Sequence, residues 1–215
     1  DSTIRVDEGN YYGNVDAAGK SVRIVGQGDP AATFLIGDGT TTTVVLGDGG
    51  LQSEISGVTV LGGNGVDGGG VSCTGDCLID NCGLTDNVAY FGGGLALIDA
   101  HTFSVTNCTF TDNTGDWGGG LYVVDSVGSI TGSMFDNNTA LAGGGGISGW
   151  DSELDMSGLT VVECSGDQGG GLHIYTCTGS LADSTISNNF AQTTGGIQTR
   201  DTTIDMSSNT ITLNH

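Results

Sequence analysis

Five aspartates recur at intervals that would place their carboxylates side by side in a repeating structure. They are Asp76, Asp99, Asp125, Asp151 and Asp201, with Thr176 at the missing place in the series. Carboxylates about 5 Å apart repel each other by about 1 kcal/mol in water and about 3 kcal/mol at a less polar surface. Calcium binds clustered carboxylate and carbonyl oxygens, so this column predicts a calcium site. Solvated aspartates at turns, where the residue is common, are the alternative.

The cysteines offer two candidate disulfides. Cys82 and Cys108 occupy the same position in successive repeats, at a separation that a disulfide can span. Cys73 and Cys77 flank a short Thr-Gly-Asp turn and can also pair. Buried thiols are the alternative for both pairs, and the remaining cysteines, at 164 and 177, fall at different corners and are not expected to meet. No histidine pair accompanies these cysteines at ligand spacing, which argues against zinc.

Aromatic residues concentrate near the glycine-rich segments. They are Tyr90, Trp117, Tyr122, Trp150 and Tyr175. Their rings have an apolar body and a polar tip, which suits stacking on sugars. We therefore take Trp117, Tyr122, Trp150 and Tyr175 as candidates for glycan stacking. Shielding of loop backbone is the alternative role.

All of these residues belong to an internal repeat of about 25 residues. Glycine clusters recur at 68–70, 92–94, 118–120, 144–146, 169–171 and 195–196. Five residues before most clusters stands an asparagine: Asn87, Asn113, Asn138 and Asn189, with Asn214 in register at the end. Three residues before each asparagine is an apolar residue: Leu84, Phe110, Phe135, Ile186 and Ile211, with Val161 before Cys164. A further apolar column, five residues earlier, runs Ile79, Val105, Ile130, Met156, Leu181 and Met206.

This pattern predicts an all-β, right-handed parallel β-helix of about 25 residues per coil. Alternation of period two marks short strands, and identical positions in successive repeats place each strand on its equivalent in the next coil, about 4.8 Å away. We expect three strands per coil, inward ladders of like residues, and an asparagine column that passes hydrogen bonds between coils. The prediction is one domain over residues 1–215, with less regular first coils in 1–66 and regular coils in 67–215.

Composition excludes several classes of protein. A single proline among 41 glycines rules out collagen. The chain has 4 basic and 25 acidic residues, a net charge of −21. Nucleic acids and anionic membranes require a basic surface and are therefore not expected as partners. No run approaches the roughly 20 apolar residues of a membrane span, so we expect no membrane insertion by this chain.

The repeats resemble those of the parallel β-helix superfamily, in particular the polymorphic outer-membrane protein type. That type alternates a Gly-Gly-Ala-Ile-like motif with Phe-x-x-Asn. Phe110-Thr111-Asp112-Asn113 and Phe135-Asp136-Asn137-Asn138 match the second motif, and the glycine clusters approximate the first, with glycine in place of alanine. The resemblance covers residues 55–215. It implies a secreted or cell-surface protein, while such repeats serve adhesins, autotransporter passengers and polysaccharide lyases alike.

Among β-helix enzymes, lyases of acidic polysaccharides resemble one another in pairing calcium-binding carboxylates with a basic residue. Arg200 is the only arginine or lysine in the regular coils, and Asp201, His173 and Asp151 are expected near it. These four residues are the candidate catalytic set. Because basic residues are so scarce, we favour a non-catalytic structural or adhesive β-helix that binds calcium or glycans, with a polysaccharide lyase or other carbohydrate-active enzyme as the alternative.

Neither end of the sequence shows a helical pattern that would cap the solenoid. The chain opens on a predicted strand at Thr3-Ile4-Arg5-Val6 and stops at His215, where another glycine cluster would be due. An uncovered coil presents unpaired N–H and C=O groups to a further strand layer. Either the chain is a fragment of a longer solenoid or identical subunits stack end to end. For a full-length chain the sequence therefore predicts head-to-tail self-association, as a filament if the contact does not close.

Overall fold

Short segments in which every second residue is apolar form strands, and each strand pairs with the strand one repeat away. The computed structural model describes residues 2–47 and 50–215. These residues form a right-handed parallel β-helix of about eight turns, with about 25 residues per turn. Every pairing among its strands is parallel, and successive strands of each sheet come from successive coils. The predicted fold class is confirmed.

In the described residues the strands, numbered in chain order, form four sheets. Sheet A contains β1 (Ser2–Val6), β4 (Val22–Gly26), β7 (Ser53–Ser56), β11 (Cys77–Asp80), β15 (Phe103–Thr106), β19 (Val127–Thr131), β23 (Glu153–Ser157), β27 (Thr178–Ala182) and β31 (Thr203–Ser207). Sheet B contains β2 (Gly9–Tyr12), β5 (Thr33–Ile36), β8 (Thr59–Leu61), β12 (Gly83–Thr85), β16 (Thr109–Thr111), β20 (Met134–Asp136), β24 (Thr160–Val162), β28 (Thr185–Ser187) and β32 (Thr210–Thr212). Sheet C contains β3 (Val15–Asp16), β6 (Val44–Leu46), β10 (Val71–Thr74), β14 (Leu95–Ile98), β18 (Leu121–Val124), β22 (Ile147–Trp150), β26 (Leu172–Tyr175) and β30 (Ile197–Arg200). Sheet D contains β9 (Asn64–Asp67), β13 (Val88–Phe91), β17 (Thr114–Trp117), β21 (Thr139–Ala140), β25 (Ser165–Gly166) and β29 (Phe190–Ala191). A 3₁₀ turn, Pro30–Ala32, precedes β5.

The core consists of ladders of like residues, in the register that the sequence predicts. Ile79 pairs with Ile55 and Val105, and Leu84 pairs with Val60 and Phe110. The same two columns continue to Met206 and Ile211 in the last coil. Their members from Ile55 to Ile186 are buried. Apolar burial along these columns is the main stabilising contribution to the fold.

Each coil turns at three corners, which follow sheets A, B and C and share one local geometry. A residue with positive φ ends the strand, and the next residue points inward. In the regular coils Asn, Asp and Gly supply most of these positive φ angles, for example Asn107 (54°), Asp112 (56°) and Asp125 (50°). Those residue types adopt the left-handed conformation with least cost. The corners therefore explain why Asp and Asn recur every coil.

The inward residue after the sheet B corner is the predicted asparagine column, and it carries hydrogen bonds from coil to coil. The backbone N–H of Asn87 donates to Oδ1 of Asn113 at 3.1 Å, and the Asn113 N–H donates to Oδ1 of Asn138 at the same distance. Nδ2 of Asn113 also donates to the Leu84 carbonyl at 2.8 Å. These buried amides satisfy corner groups that no sheet ladder reaches.

Sheet D was not predicted, since three strands per coil were expected. Its strands lie between sheets B and C in the coils that begin at Asn64. Each strand of sheet D is followed by a glycine cluster, and the cluster leads into the next strand of sheet C. A Cβ on Gly119 would lie 2.5 Å from the carbonyl oxygens of both Gly145 and Thr139. The glycines therefore allow a close approach of backbone that any side chain would prevent.

Candidate functional site

Sheet C presents a row of aromatic side chains on its outer surface. Along β22, β26 and β30 the outward positions hold Ser148 and Trp150, His173 and Tyr175, and Gln198 and Arg200, which pair across neighbouring coils. Trp117 comes from the end of β17 in sheet D. We call Trp117, Trp150, His173 and Tyr175 the aromatic cluster.

Rings of the aromatic cluster contact one another continuously across three coils. The centroid of Trp150 lies 5.2 Å from that of Trp117, 5.6 Å from that of His173 and 4.6 Å from that of Tyr175. Trp117 and His173 are stacked at 6.2 Å. These are the edge-to-face and offset arrangements that aromatic pairs prefer. The cluster is consequently a preformed apolar surface with fixed ring orientations.

Two polar atoms in the cluster lack a hydrogen-bond partner. They are Nε1 of Trp150 and Nδ1 of His173, the only such buried side-chain nitrogens or oxygens within residues 2–47 and 50–215. His173 is 3% exposed, whereas Trp117, Trp150 and Tyr175 are partly exposed. Burial lowers the pKa of His173 below its usual value of 6.5, so the imidazole is neutral. An unmade hydrogen bond at a buried group costs roughly 1–3 kcal/mol.

Arg200 extends the cluster at one end. Its guanidinium carbon lies 5.5 Å from the centroid of the Tyr175 ring, within the range of a cation–π contact. Nε of Arg200 also lies 3.6 Å from Oδ2 of Asp201, and both side chains are largely exposed. The arginine is therefore held by one ring and one carboxylate at the surface.

A second aromatic group lies one coil away, and it corrects the prediction for Tyr122. The Tyr122 ring packs 4.8 Å from Phe91, which in turn contacts Tyr90 at 4.6 Å. Tyr122 is 9% exposed, and the Phe91 ring at the end of β13 packs against it. Burial, together with the charges of Asp125 and Asp151, raises the pKa of Tyr122 to about 12. Its ring is thus not available for stacking on a sugar.

Phe91 was missed at the sequence level, although a signal was present. It immediately precedes the glycine cluster at 92–94, and it pairs with Trp117, which precedes the next cluster. An aromatic residue just before the glycines therefore reaches the outer face of sheet C. His173 was predicted as a catalytic candidate, and its place in the aromatic cluster was not foreseen.

The aspartate column differs from the predicted one at its first member. Thr74 pairs with Ile98, so Gly75, with φ of 77°, takes the place opposite Asp99. Asp76 lies beyond the column, where Oδ1 accepts hydrogen bonds from the backbone N–H and the hydroxyl of Thr102 at 3.0 and 2.9 Å. Only residues 75 and 76 separate β10 from β11, whereas residues 99–102 separate β14 from β15, so the positions after Gly75 and Asp99 are not equivalent.

The other four aspartates do occupy equivalent corner positions. Asp99, Asp125, Asp151 and Asp201 all have φ between 45° and 52°. Asp151 accepts a hydrogen bond from the hydroxyl of Thr176 in the next coil. In the described part of the chain, no three histidine, cysteine, aspartate or glutamate side chains come together as a metal-binding group. The left-handed backbone accounts for aspartate at these corners, and calcium binding by this column stays a prediction.

The four candidate catalytic residues do not form one contact network. Arg200 contacts Asp201 and Tyr175, Asp151 is bound to Thr176, and His173 packs between the two tryptophans. Among the described residues, no hydrogen bond or ion pair joins Arg200 to His173 or Asp151.

The cysteines separate into one bonded pair and four thiols. Cys73 and Cys77 form a disulfide, with Cα atoms 6.5 Å apart. Cys82 and Cys108 are stacked at the sheet A corner as buried thiols, so the candidate disulfide between them is absent from the structure. Cys164 and Cys177 are also buried thiols at separate corners.

Comparison with known proteins identifies the fold family. No helix within residues 2–47 and 50–215 has the length and hydropathy needed to cross a membrane. No curated protein and no solved structure matches the chain significantly. The family model described as the right-handed beta helix region matches residues 35–191, well over half of the chain. The protein therefore belongs to the right-handed β-helix family.

Proposed function

We propose that this chain is a non-catalytic structural or adhesive β-helix of the cell surface or extracellular space, which binds neutral glycans at the aromatic cluster. The observation that carries the proposal is the contact series of the partly exposed rings Trp117–Trp150–Tyr175. Such rings offer apolar faces to a sugar.

The charge of the chain favours a neutral ligand. A net charge of −21 repels anionic polysaccharides over the whole surface. Near the cluster, the cationic group of Arg200 is already engaged by Asp201 and Tyr175. Neutral sugars are not repelled by this charge and can stack on the faces of the aromatic rings.

Two features support an extracellular or surface location. The Cys73–Cys77 disulfide is typical of proteins in oxidising compartments. In addition, the Phe-x-x-Asn motifs resemble the repeats of polymorphic outer-membrane proteins, and that resemblance favours display at a cell surface.

The alternative of a polysaccharide lyase has less support. Such a reaction needs a base within hydrogen-bond reach of the substrate proton. Arg200 is paired with a carboxylate, and His173 is buried beneath the rings. A lyase would be revealed by ultraviolet absorbance of an unsaturated product from polygalacturonate.

Intrinsic fluorescence provides the direct test, because both tryptophans of the chain belong to the cluster. Neutral oligosaccharides (cello-, xylo- and N-acetylchito-oligosaccharides) and polygalacturonate are titrated separately. We expect a saturable change with at least one neutral series and none with polygalacturonate. Failure of every neutral series, or binding of polygalacturonate alone, would contradict the proposal.

Two variants of Trp150 test ring stacking. Trp150→Ala should weaken binding at least tenfold, read by calorimetry. Trp150→Phe keeps a smaller aromatic ring and should weaken binding less than Trp150→Ala does. Tyr12→Ala is the matched control, since Tyr12 is 78% exposed in the first coil. Equal affinities for all three variants would place the ligand elsewhere.

A further inference from the structure

We propose that Cys82 and Cys108 are a peroxide-reactive thiol pair that closes into a disulfide joining two adjacent coils. This modification is independent of glycan binding. It concerns the corner that follows sheet A, where the side chain after each positive-φ residue points into the core.

The two cysteines are in register on neighbouring coils. Asp80 pairs with Thr106 on one side of them, and Gly83 pairs with Thr109 on the other. The backbone N–H of Thr109 donates to the Cys82 carbonyl at 2.9 Å. Coils are about 4.8 Å apart, which lies within the Cα separation of about 4.4–6.8 Å that disulfides span. The bond can therefore form without moving the backbone out of its ladder.

Both thiols are buried, and each donates a hydrogen bond within its own corner. The Cys82 thiol donates to the Asp80 carbonyl at 3.3 Å, and the Cys108 thiol donates to the Thr106 carbonyl at 3.2 Å. The neighbouring Cys108 and burial raise the pKa of Cys82, whereas the neighbouring Cys82 lowers the pKa of Cys108. The two groups therefore influence each other's protonation across adjacent coils.

A groove gives small oxidants a route to this corner. Its volume is about 360 Å³, and its lining includes Asn81, Cys82, Gly83 and Asn107. Gly83 contributes no side chain to cover the neighbouring cysteine. Hydrogen peroxide is small enough to enter, whereas large thiol reagents are excluded because Cys82 is 3% exposed and Cys108 1%.

The reaction balances with one peroxide for each pair. The thiolate of one cysteine attacks a peroxide oxygen, the O–O bond breaks, and the leaving hydroxide takes up the proton of that thiol as water. The sulfur of the other cysteine then attacks the sulfenic sulfur, the S–S bond forms, and the hydroxide released from sulfur leaves with the proton of the second thiol as a second water. Two thiols are oxidised to a disulfide, and peroxide is reduced to two waters.

The other thiols of the chain cannot react in this way, because their column neighbours are not cysteines. Cys164 lies between Asn138 and Asn189, to which it is linked by hydrogen-bond contacts. The backbone N–H of Cys177 donates to the hydroxyl of Thr202 on the next coil. Cys164→Ser and Cys177→Ser are therefore matched controls for the pair.

The test treats the native protein with hydrogen peroxide, alkylates remaining thiols after unfolding, and maps unreduced peptides by mass spectrometry. The four thiols of the starting protein should fall to two, with a cross-linked peptide joining Cys82 to Cys108. The midpoint of urea unfolding should rise, because the bond closes a long loop in the unfolded chain. Cys164→Ser and Cys177→Ser should form the same cross-link.

Single variants assign the roles. Ser133 and Leu159 occupy the same corner in later coils, so Cys82→Ser and Cys108→Ser are compatible with the fold. Neither single variant should form the cross-link, and the variant that accumulates a sulfenic acid, trapped with a carbon nucleophile, identifies the thiol that peroxide attacks. A small-molecule thiol is added to the same sample as a control for the peroxide. The proposal is overturned if that thiol is oxidised while all four protein thiols remain. Oxidation of Cys82 and Cys108 to sulfinic acids without a cross-link would do the same.

Discussion

Phe110 and Phe135 stack face to face on adjacent coils, with ring centroids 4.5 Å apart and planes inclined by 4°. Both side chains are completely buried, and they occupy one column with Leu84 and Val161. The column holds smaller residues on either side of this pair. The two stacked rings therefore fill the interior of two adjacent coils.

Replacement of Phe110 by Ala should destabilise the protein by about 3–5 kcal/mol, because it removes a buried ring and leaves a cavity. Urea unfolding followed by circular dichroism measures the change. Phe190→Ala is the control, since Phe190 is 59% exposed, and its effect should stay within about 0.5 kcal/mol. A loss below about 1 kcal/mol for Phe110→Ala would be incompatible with the observed register.

Cys164 interrupts the asparagine column, so restoring asparagine there should stabilise the fold. Nδ2 of Asn138 faces the Cys164 sulfur at 3.9 Å, whereas the equivalent contacts to Asn113 and Asn138 Oδ1 measure 3.1 and 3.0 Å. Cys164→Asn should recover these bonds and raise the free energy of unfolding by about 1 kcal/mol. Cys177→Asn, at a corner without an asparagine column, is the comparison and should not stabilise. A lower stability of Cys164→Asn would show that the cavity at this coil is too small for the amide.

Two glycines with different surroundings test the explanation of the glycine clusters. Gly119→Ala should cost about 3 kcal/mol, because the new Cβ would meet backbone carbonyls of the next coil, which cannot yield. Gly132→Asn should change stability by less than about 1 kcal/mol. Its φ is 58°, which asparagine tolerates, and the nearest atom to a new Cβ is the Asn107 side-chain oxygen at 3.0 Å. Chemical unfolding of both variants is the measurement, and equal losses would contradict the distinction.

The sequence was sufficient to predict the parts of the fold that repeat. Ile79 and Leu84 could be aligned with their neighbours because the interval between equivalent corners is nearly constant, and identical inward positions must then stack. The asparagine ladder followed from the same register. At the end of the solenoid, Met206 and Ile211 continue these columns but are each 48% exposed, and end-to-end association stays a prediction.

The features that were not predicted depend on contacts between sheets. The strands of sheet D contain small inward residues such as Ala89 and Gly115, whose pattern does not alternate between apolar and polar. Tyr122 was expected to be exposed because it is an outward residue of sheet C, and only the packing of sheet D over it determines its burial. The displacement of Asp76 from its column reflects a corner of two residues where the next coil has four, a difference in length that a fixed interval cannot detect.

His173 should make the stability depend on pH below its usual pKa. Burial lowers its pKa in the folded state, so at a pH below 6.5 the unfolded chain binds a proton that the folded chain does not. The contribution of the neutral imidazole to the free energy of unfolding is complete above pH 6.5 and decreases as the pH falls towards the folded-state pKa, by at most about 1.4 kcal/mol per pH unit.

His173→Gln removes this titration, and glutamine already occupies the adjacent position at Gln198. Urea midpoints measured at about pH 5 and pH 7 should therefore differ less in His173→Gln than in the wild type, while His101→Gln, at an exposed turn, should keep the wild-type difference. Comparing the two variants separates the effect of His173 from that of the rest of the chain, which is the same in both. An identical pH dependence in all three proteins would mean that His173 is accessible to protons in the folded state.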